Sequence, residues 1–347
     1  MMADMAASSS AARAKTKSVR DDSFVQTRLT CATARGEFSV CAWDGKDTKA
    51  HPKATRPLLH FAHANGFHGG TYGPLLQELG NQFRVRAWDA RGHGKTRAPL
   101  QIAEHSQWEA HRDDLLAVLE QLVADSNTRI YLAGHSMGAT VSCMAAAVRP
   151  EWVAGILLVE PVMLKPRYYT LSRMFSGLTG LAMTPLARAA AKRRSVFPDL
   201  EAMHESYRQR GAFRTWEEPF LRAYLSAATR RHEDGVELAC PPKYEAALFN
   251  SLEHDALTPA SQIGVPFSVL LAEHGSVVME TQPFFQALGP GKISTVPGST
   301  HFLPMELPET VRAEARRLPR RAALYSSDGA IDTPRITSPL PQVALKK

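Results

Sequence analysis

Two kinds of hydrophobic patterning take turns along this chain. Short, nearly unbroken apolar runs occur at residues 58–62, 130–132, 155–159 and 269–272, while residues 83–88 alternate apolar with basic positions. Runs of this length read as strands, most of them covered on both faces. Between them the spacing turns helical. Within residues 107–123, Leu115, Leu116, Val118, Leu119 and Leu122 fall on one side, and Glu109, Arg112 and Asp113 fall largely on others. That is the pattern of an amphipathic helix covering a sheet. A final helix is expected over residues 304–318, with Glu306 and Glu309 toward its start and Arg316, Arg317, Arg320 and Arg321 at or past its end, as the helix dipole favours. Near the N-terminus, residues 25–33 and 37–43 flank Arg35-Gly36 and predict an antiparallel hairpin. Alternating strands and helices place the chain in the α/β class, with a mostly parallel sheet and helices on both faces.

The alternation stops between Met163 and about Asn250, where helical stretches are expected at 168–178, 185–194, 199–210 and 217–229. A helical insertion over residues 163–250 would then divide a core made of 23–162 and 251–322. Residues 1–22 are rich in Ala and Ser, and 323–347 in Ser, Pro and Thr. Both compositions predict disordered tails.

One short segment carries the chemistry. Ala133-Gly134-His135-Ser136-Met137-Gly138 ends an apolar strand and opens a helix of small residues, 139–147. Glycines on either side of Ser136 let two backbones meet closely at a strand-to-helix corner. A serine there stands above the sheet at a helix N-terminus, where unpaired N–H groups favour developing negative charge. The segment fits the G-x-S-x-G nucleophile elbow and makes Ser136 the candidate nucleophile.

Four stretches in order along the chain resemble the α/β-hydrolase family. They are His63-Ala64-Asn65-Gly66-Phe67-His68-Gly69-Gly70, Asp89-Ala90-Arg91-Gly92-His93-Gly94-Lys95-Thr96, the elbow itself, and Gly298-Ser299-Thr300-His301-Phe302. The resemblance runs from about residue 24 to residue 320. It implies an α/β-hydrolase fold, with a mostly parallel eight-stranded sheet, helices on both faces, and the helical cap inserted after the sixth strand, above Ser136. It also implies that His301 is the catalytic base and that the loop after the third strand gives an oxyanion-hole N–H. Phe67 takes the donor position and Met137 supplies the second N–H, although Asn65-Gly66 replaces the more usual His-Gly. The acid departs from the common pattern, because Gly275 stands where the family most often keeps an aspartate. A minority of members carry the acid after the sixth strand, and there this chain has Glu160-Pro161, the proline ending the strand. Glu160 is the expected acid, Glu273 the alternative and Asp255 a third choice.

These roles make one mechanism. A serine hydroxyl needs a base to take its proton. His301 would do so while Glu160 holds the tautomer and stabilises the imidazolium. His63, His68 and His93 also lie in these loops, but none follows the last strand. No H-E-x-x-H or C-x-x-C is present, so neither a metal nor a cofactor is expected.

Serine stands where epoxide hydrolases and haloalkane dehalogenases of this fold carry aspartate, which favours acyl transfer to water. The expected substrate is a carboxylic ester of a hydrophobic small molecule. Thioesterase, lactonase, carbon–carbon bond hydrolase and haloperoxidase side activity share the machinery, and a hydrophobic-ligand receptor with little turnover is an alternative of another class. Candidate pocket residues are His135, Met163, Tyr168 and Phe302. The net charge of +7 gathers in the insertion. It is read there as solvated helix faces, with steering of anionic substrates the alternative. No nucleic-acid motif accompanies it, so nucleic acid is not an expected partner. No run approaches the roughly 18 apolar residues of a membrane span. The four cysteines lack a metal or redox motif, which with the tail composition suggests a cytoplasmic protein, an organellar transit peptide being the other reading. Oligomeric state is left open.

Overall fold

The structure, a computed structural model, describes residues 24–47, 52, 55–126, 128–163, 184–251, 264–279 and 291–327. The expected tail 1–22, most of the expected tail 323–347, the predicted helix 168–178, Tyr168 and Asp255 lie outside these residues.

The core elements run β1 (Phe24–Thr33), β2 (Gly36–Gly45), β3 (Leu58–Ala62), β4 (Arg84–Trp88), α1 (Trp108–Ser126), β5 (Ile130–His135), α2 (Met137–Val148) and β6 (Val153–Val159). The cap follows with α3 (Pro185–Ala191), β7 (Val196–Phe197), α4 (Leu200–Tyr207), α5 (Glu218–Ala227), β8 (Thr229–His232), β9 (Gly235–Leu238) and α6 (Pro242–Asn250). The core resumes with β10 (Phe267–Ala272), β11 (Gly291–Val296) and α7 (Pro308–Ser327).

The eight core strands form one sheet in the order β1-β2-β4-β3-β5-β6-β10-β11. The first three pair antiparallel and the rest parallel. This is the α/β-hydrolase fold with its cap inserted after β6. The central strands β3 and β5 are buried at every position, which is why their sequences read as continuous apolar runs rather than alternating ones. Leu115, Val118, Leu119 and Leu122 of α1 cover one face together with Val141 and Cys143 of α2. On the other, Val311, Ala315 and Leu318 of α7 join Leu75 and Leu76.

Topology locates the crevice. From β3 the chain steps outward to β4, then crosses back over β3 to β5 and continues the other way. Loops leaving the carboxyl ends of β3 and β5 therefore diverge, and α/β sheets bind their ligands at such a switch point. The 63–68 loop and Ser136 sit at that place.

Two elements differ from expectation. The cap also contains a three-stranded antiparallel sheet, β7-β9-β8, so the helix expected to reach Thr229 ends at Ala227. The hairpin's strands are charged, and their burial is partial, so no hydrophobic alternation announces them. The last helix begins at Pro308 and continues to Ser327 through Pro319. Ion pairs from Arg317 and Arg321 to Glu314 bracket that proline.

Candidate active site

Ser136 is built into the corner between β5 and α2 with φ 55° and ψ −123°. This is a positive-φ conformation that a residue with a side chain adopts only when its surroundings enforce it. The enforcement comes from the glycines. A Cβ on Gly134 would lie 2.6 Å from the Ala139 nitrogen, and one on Gly138 would strike the Ala62 carbonyl. The elbow is thus pressed against the end of β3, and the Ser136 N–H donates to the Val159 carbonyl on β6 at 3.0 Å.

His301 arrives from the loop after β11. Its Nε2 lies 3.1 Å from Ser136 Oγ and its Nδ1 3.1 Å from Glu160 Oε2. Glu160 is fully buried at the end of β6 with φ 48°. Its Oε1 accepts from the Ala272 N–H at 2.6 Å and the Ser276 hydroxyl at 2.8 Å, and its Oε2 accepts from the Val277 N–H at 3.1 Å. Burial alone would raise its pKa. The hydrogen bonds from His301, Ala272 and Ser276 outweigh burial and hold it below the usual carboxylate value. The last residue of β10 and the loop after it, which has Gly275 at the common acid position, instead present three donors to an acid on the neighbouring strand. Glu273 on that loop points elsewhere. It accepts from the Gly298 N–H at 2.8 Å and lies near His274 at the surface.

His135 does not line an open pocket. It is fully buried, with Nε2–H donating to the His301 carbonyl at 2.8 Å. A carbonyl can only accept, so Nδ1 is the lone-pair nitrogen and accepts from Tyr72 O–H at 2.8 Å. Tyr72 in turn accepts from the Ala64 N–H at 3.1 Å. Burial, and then the neighbouring His301, push the His135 pKa down to about 3, so the ring is a neutral strut. Met163 is buried in the core layer beside Val278. Phe302 fits the expectation better. Its ring lies 5.6 Å from His301, 5.9 Å from Trp216 and 6.4 Å from Phe67.

The expected donor at Phe67 is engaged within its own loop. Its N–H donates to the Ala64 carbonyl at 3.1 Å, closing a turn, and is already engaged. The Gly66 N–H goes to His93 Nε2 at 3.1 Å and the Ala64 N–H to Tyr72. Among the described residues, the Asn65 N–H is the one from 64 to 67 with no protein acceptor. Met137, at the first turn of α2, likewise has its N–H free of the helix ladder.

The Asp89 loop supports the site without entering it. Buried Asp89 accepts from the Gly69 and Lys95 N–H groups and from Arg28. Residues to which sequence reading gave no role in the site are Tyr72 behind His135, Ser276 beside Glu160, and Arg193 and Glu245 in the cap. None belongs to a recurring short motif.

Fold and site together define a hydrolase of the serine-hydrolase-like α/β-hydrolase class. Residues 53–308 match the family described as serine aminopeptidase, S33, and the chain belongs to that family. Monoglyceride lipase of Mus musculus is 32% identical over 134 residues, 38% of this chain and 42% of that protein. The 2-(acetamidomethylene)succinate hydrolase of Mesorhizobium japonicum is 30% identical over 108 residues, 31% of this chain and 37% of that one. The chain thus spans about two fifths of the length of the curated relatives it matches. Among solved structures, E-2-(acetamidomethylene)succinate hydrolase superposes with TM-score 0.65 at 20% identity, over 84% of this chain and 98% of the other. The peroxisomal alpha-beta-hydrolase Lpx1 of Saccharomyces cerevisiae gives 0.67 at 15% identity, over 91% and 94%. At such identities the likeness is one of fold.

Proposed function

We propose that the protein hydrolyses a carboxylic ester of a hydrophobic small molecule through an acyl-enzyme on Ser136. The observation that carries this reading is the unbroken line from Ser136 Oγ through His301 to Glu160, with 3.1 Å at each step. His301 Nε2 takes the hydroxyl proton as Oγ attacks the ester carbonyl. Glu160, kept ionised by its donors, holds the Nδ1 proton in place and stabilises the imidazolium. The Met137 and Asn65 N–H groups, rather than Phe67's, receive the oxyanion, since each is a donor with no protein acceptor. His301 then returns the proton to the departing alcohol. In the second half it activates the water that releases the acid.

The aromatic wall of Phe67, Trp216 and Phe302 beside His301 suits an apolar acyl or alcohol group. The relatives with ester substrates in their names, the monoglyceride lipases, agree with that preference. A fluorophosphonate probe tests the reading. Ser136 should be labelled, a burst of product should appear with p-nitrophenyl acetate, and Ser136→Ala should abolish both while staying folded. Labelling at another residue, or near-native turnover by Ser136→Ala, would overturn it.

A further inference from the structure

In the cap, one guanidinium bridges elements that also pack on one another, Ala187 and Ala190 of α3 against Ala246 of α6 and Tyr207 against Tyr224. Arg193, just past α3, donates from Nη1 to Glu245 Oε2 at 2.5 Å and from Nη2 to the hydroxyls of Tyr207 at 3.1 Å and Tyr224 at 2.9 Å. Tyr207 ends α4, Tyr224 lies in α5 and Glu245 in α6. A single side chain therefore ties together the four described cap helices. Glu245 and Tyr224 are buried, so removing the cation would leave a carboxylate and two hydroxyls short of partners.

The same residues grip the loop below. The Glu245 backbone carbonyl accepts from Asn65 Nδ2 at 3.0 Å, and the Tyr224 carbonyl accepts from His68 Nε2 at 2.8 Å. Between these two anchors is Gly66, with φ 77°. A Cβ there would lie 2.5 Å from Glu245 Oε1 and 3.5 Å from Arg193 Nη1. The ion pair is thus seated against the backbone of the loop, one residue from the free Asn65 N–H.

We infer that Arg193 is a positioning residue: through Glu245 and Tyr224 it clamps the cap onto the 65–68 loop and sets where the Asn65 N–H points. This rests on the serine-hydrolase reading above. A donor must meet the oxyanion rather than the ground-state carbonyl, so a loosened loop costs rate rather than substrate affinity.

The test uses Arg193→Met, Glu245→Gln and the double variant of the full-length protein. Thermal unfolding, kcat and KM on a p-nitrophenyl ester, and the rate of fluorophosphonate labelling are measured for each. Arg193→Met should lower kcat and the labelling rate together by about 10- to 100-fold, with KM within about threefold. Glu245→Gln leaves an amide oxygen that can still accept from Arg193 Nη1 and should lose less, about 3- to 10-fold. It stands in if Arg193→Met does not fold. In the double variant no uncompensated charge remains, so Tm should recover while kcat should not. The acid limb of the kcat/KM profile should keep its midpoint in all three, because contacts among Ser136, His301 and Glu160 are untouched. Rates within twofold of wild type in a folded single variant, a loss confined to KM, or recovery of kcat along with Tm would each overturn the inference. Wild-type protein that fails to label at Ser136 would instead refute the serine-hydrolase reading, and this inference with it.

Discussion

Replacing Glu160 by glutamine changes one atom and should cost most of the activity. The carboxylate faces donors only: Ala272 N–H and Ser276 O–H on Oε1, Val277 N–H and His301 Nδ1 on Oε2. An amide must turn its NH2 toward one of these pairs. Placed at Oε2, it meets the Val277 N–H and requires Nδ1 of His301 to accept. The ring proton then moves to Nε2, where it blocks acceptance from Ser136. Placed at Oε1, it preserves the tautomer but sets N–H against the Ala272 N–H in the shortest contact of the group, 2.6 Å. Either orientation leaves a buried donor unpaired, a cost of about 1–3 kcal/mol, and neither stabilises an imidazolium. The expected result is a fall in kcat of roughly 1000- to 10000-fold with a modest loss of Tm. Glu273→Gln is the paired control. Its carboxylate accepts from one backbone N–H near the surface, which an amide oxygen can still do, so activity should stay within about twofold. Steady-state hydrolysis of a p-nitrophenyl ester, with circular dichroism to confirm folding, decides between them. A Glu160→Gln enzyme within tenfold of wild type, or a larger loss in Glu273→Gln, would show that the acid has been misassigned.

Gly138→Ala should destabilise the protein by about 2–3 kcal/mol in urea unfolding, because its methyl would run into the Ala62 carbonyl; an unchanged midpoint would mean that the elbow is not pressed against β3. Acid should unfold the chain early. Burial pushes His63 and His111 down to about 4 and His60 to about 3, so the native state refuses protons that the unfolded chain binds below 6.5. Stability is therefore intact above that pH and drains as pH falls toward 4, at roughly 1.4 kcal/mol per pH unit for each ring. A Tm that stays flat between pH 6.5 and 4 would contradict the neutral, buried assignment of these histidines.

What could be read from the residues depended on whether a role is fixed by local backbone or by distant packing. Ser136 was legible because its strained corner demands glycines at fixed offsets. The position of Glu160 was legible because a carboxylate and a proline close a buried strand. The charged hairpin of the cap was not, since β8 and β9 bury little and alternate weakly. Its one signal, Glu233-Asp234-Gly235 with Gly235 at φ 127°, is a turn signature in a region that otherwise reads as helix.

The proposed oxyanion donor shows the limit most sharply. In the sequence the resemblance points to Phe67, with Asn65 two residues before it in place of the usual histidine, and each carries one N–H. What separates them is where the neighbouring donors are spent: Ala64 on Tyr72, Gly66 on His93, Phe67 back on Ala64. Those acceptors come from a one-turn segment after β3 and from the Asp89 loop, so the assignment is a property of three loops folded together. The Asn65 side chain then hangs from Glu245 in a helix 180 residues further on. As the proposed donor, Asn65 is picked out by elimination among folded neighbours and held from a cap that the chain does not reach until after the sixth strand, and neither relation is written in the linear order of residues.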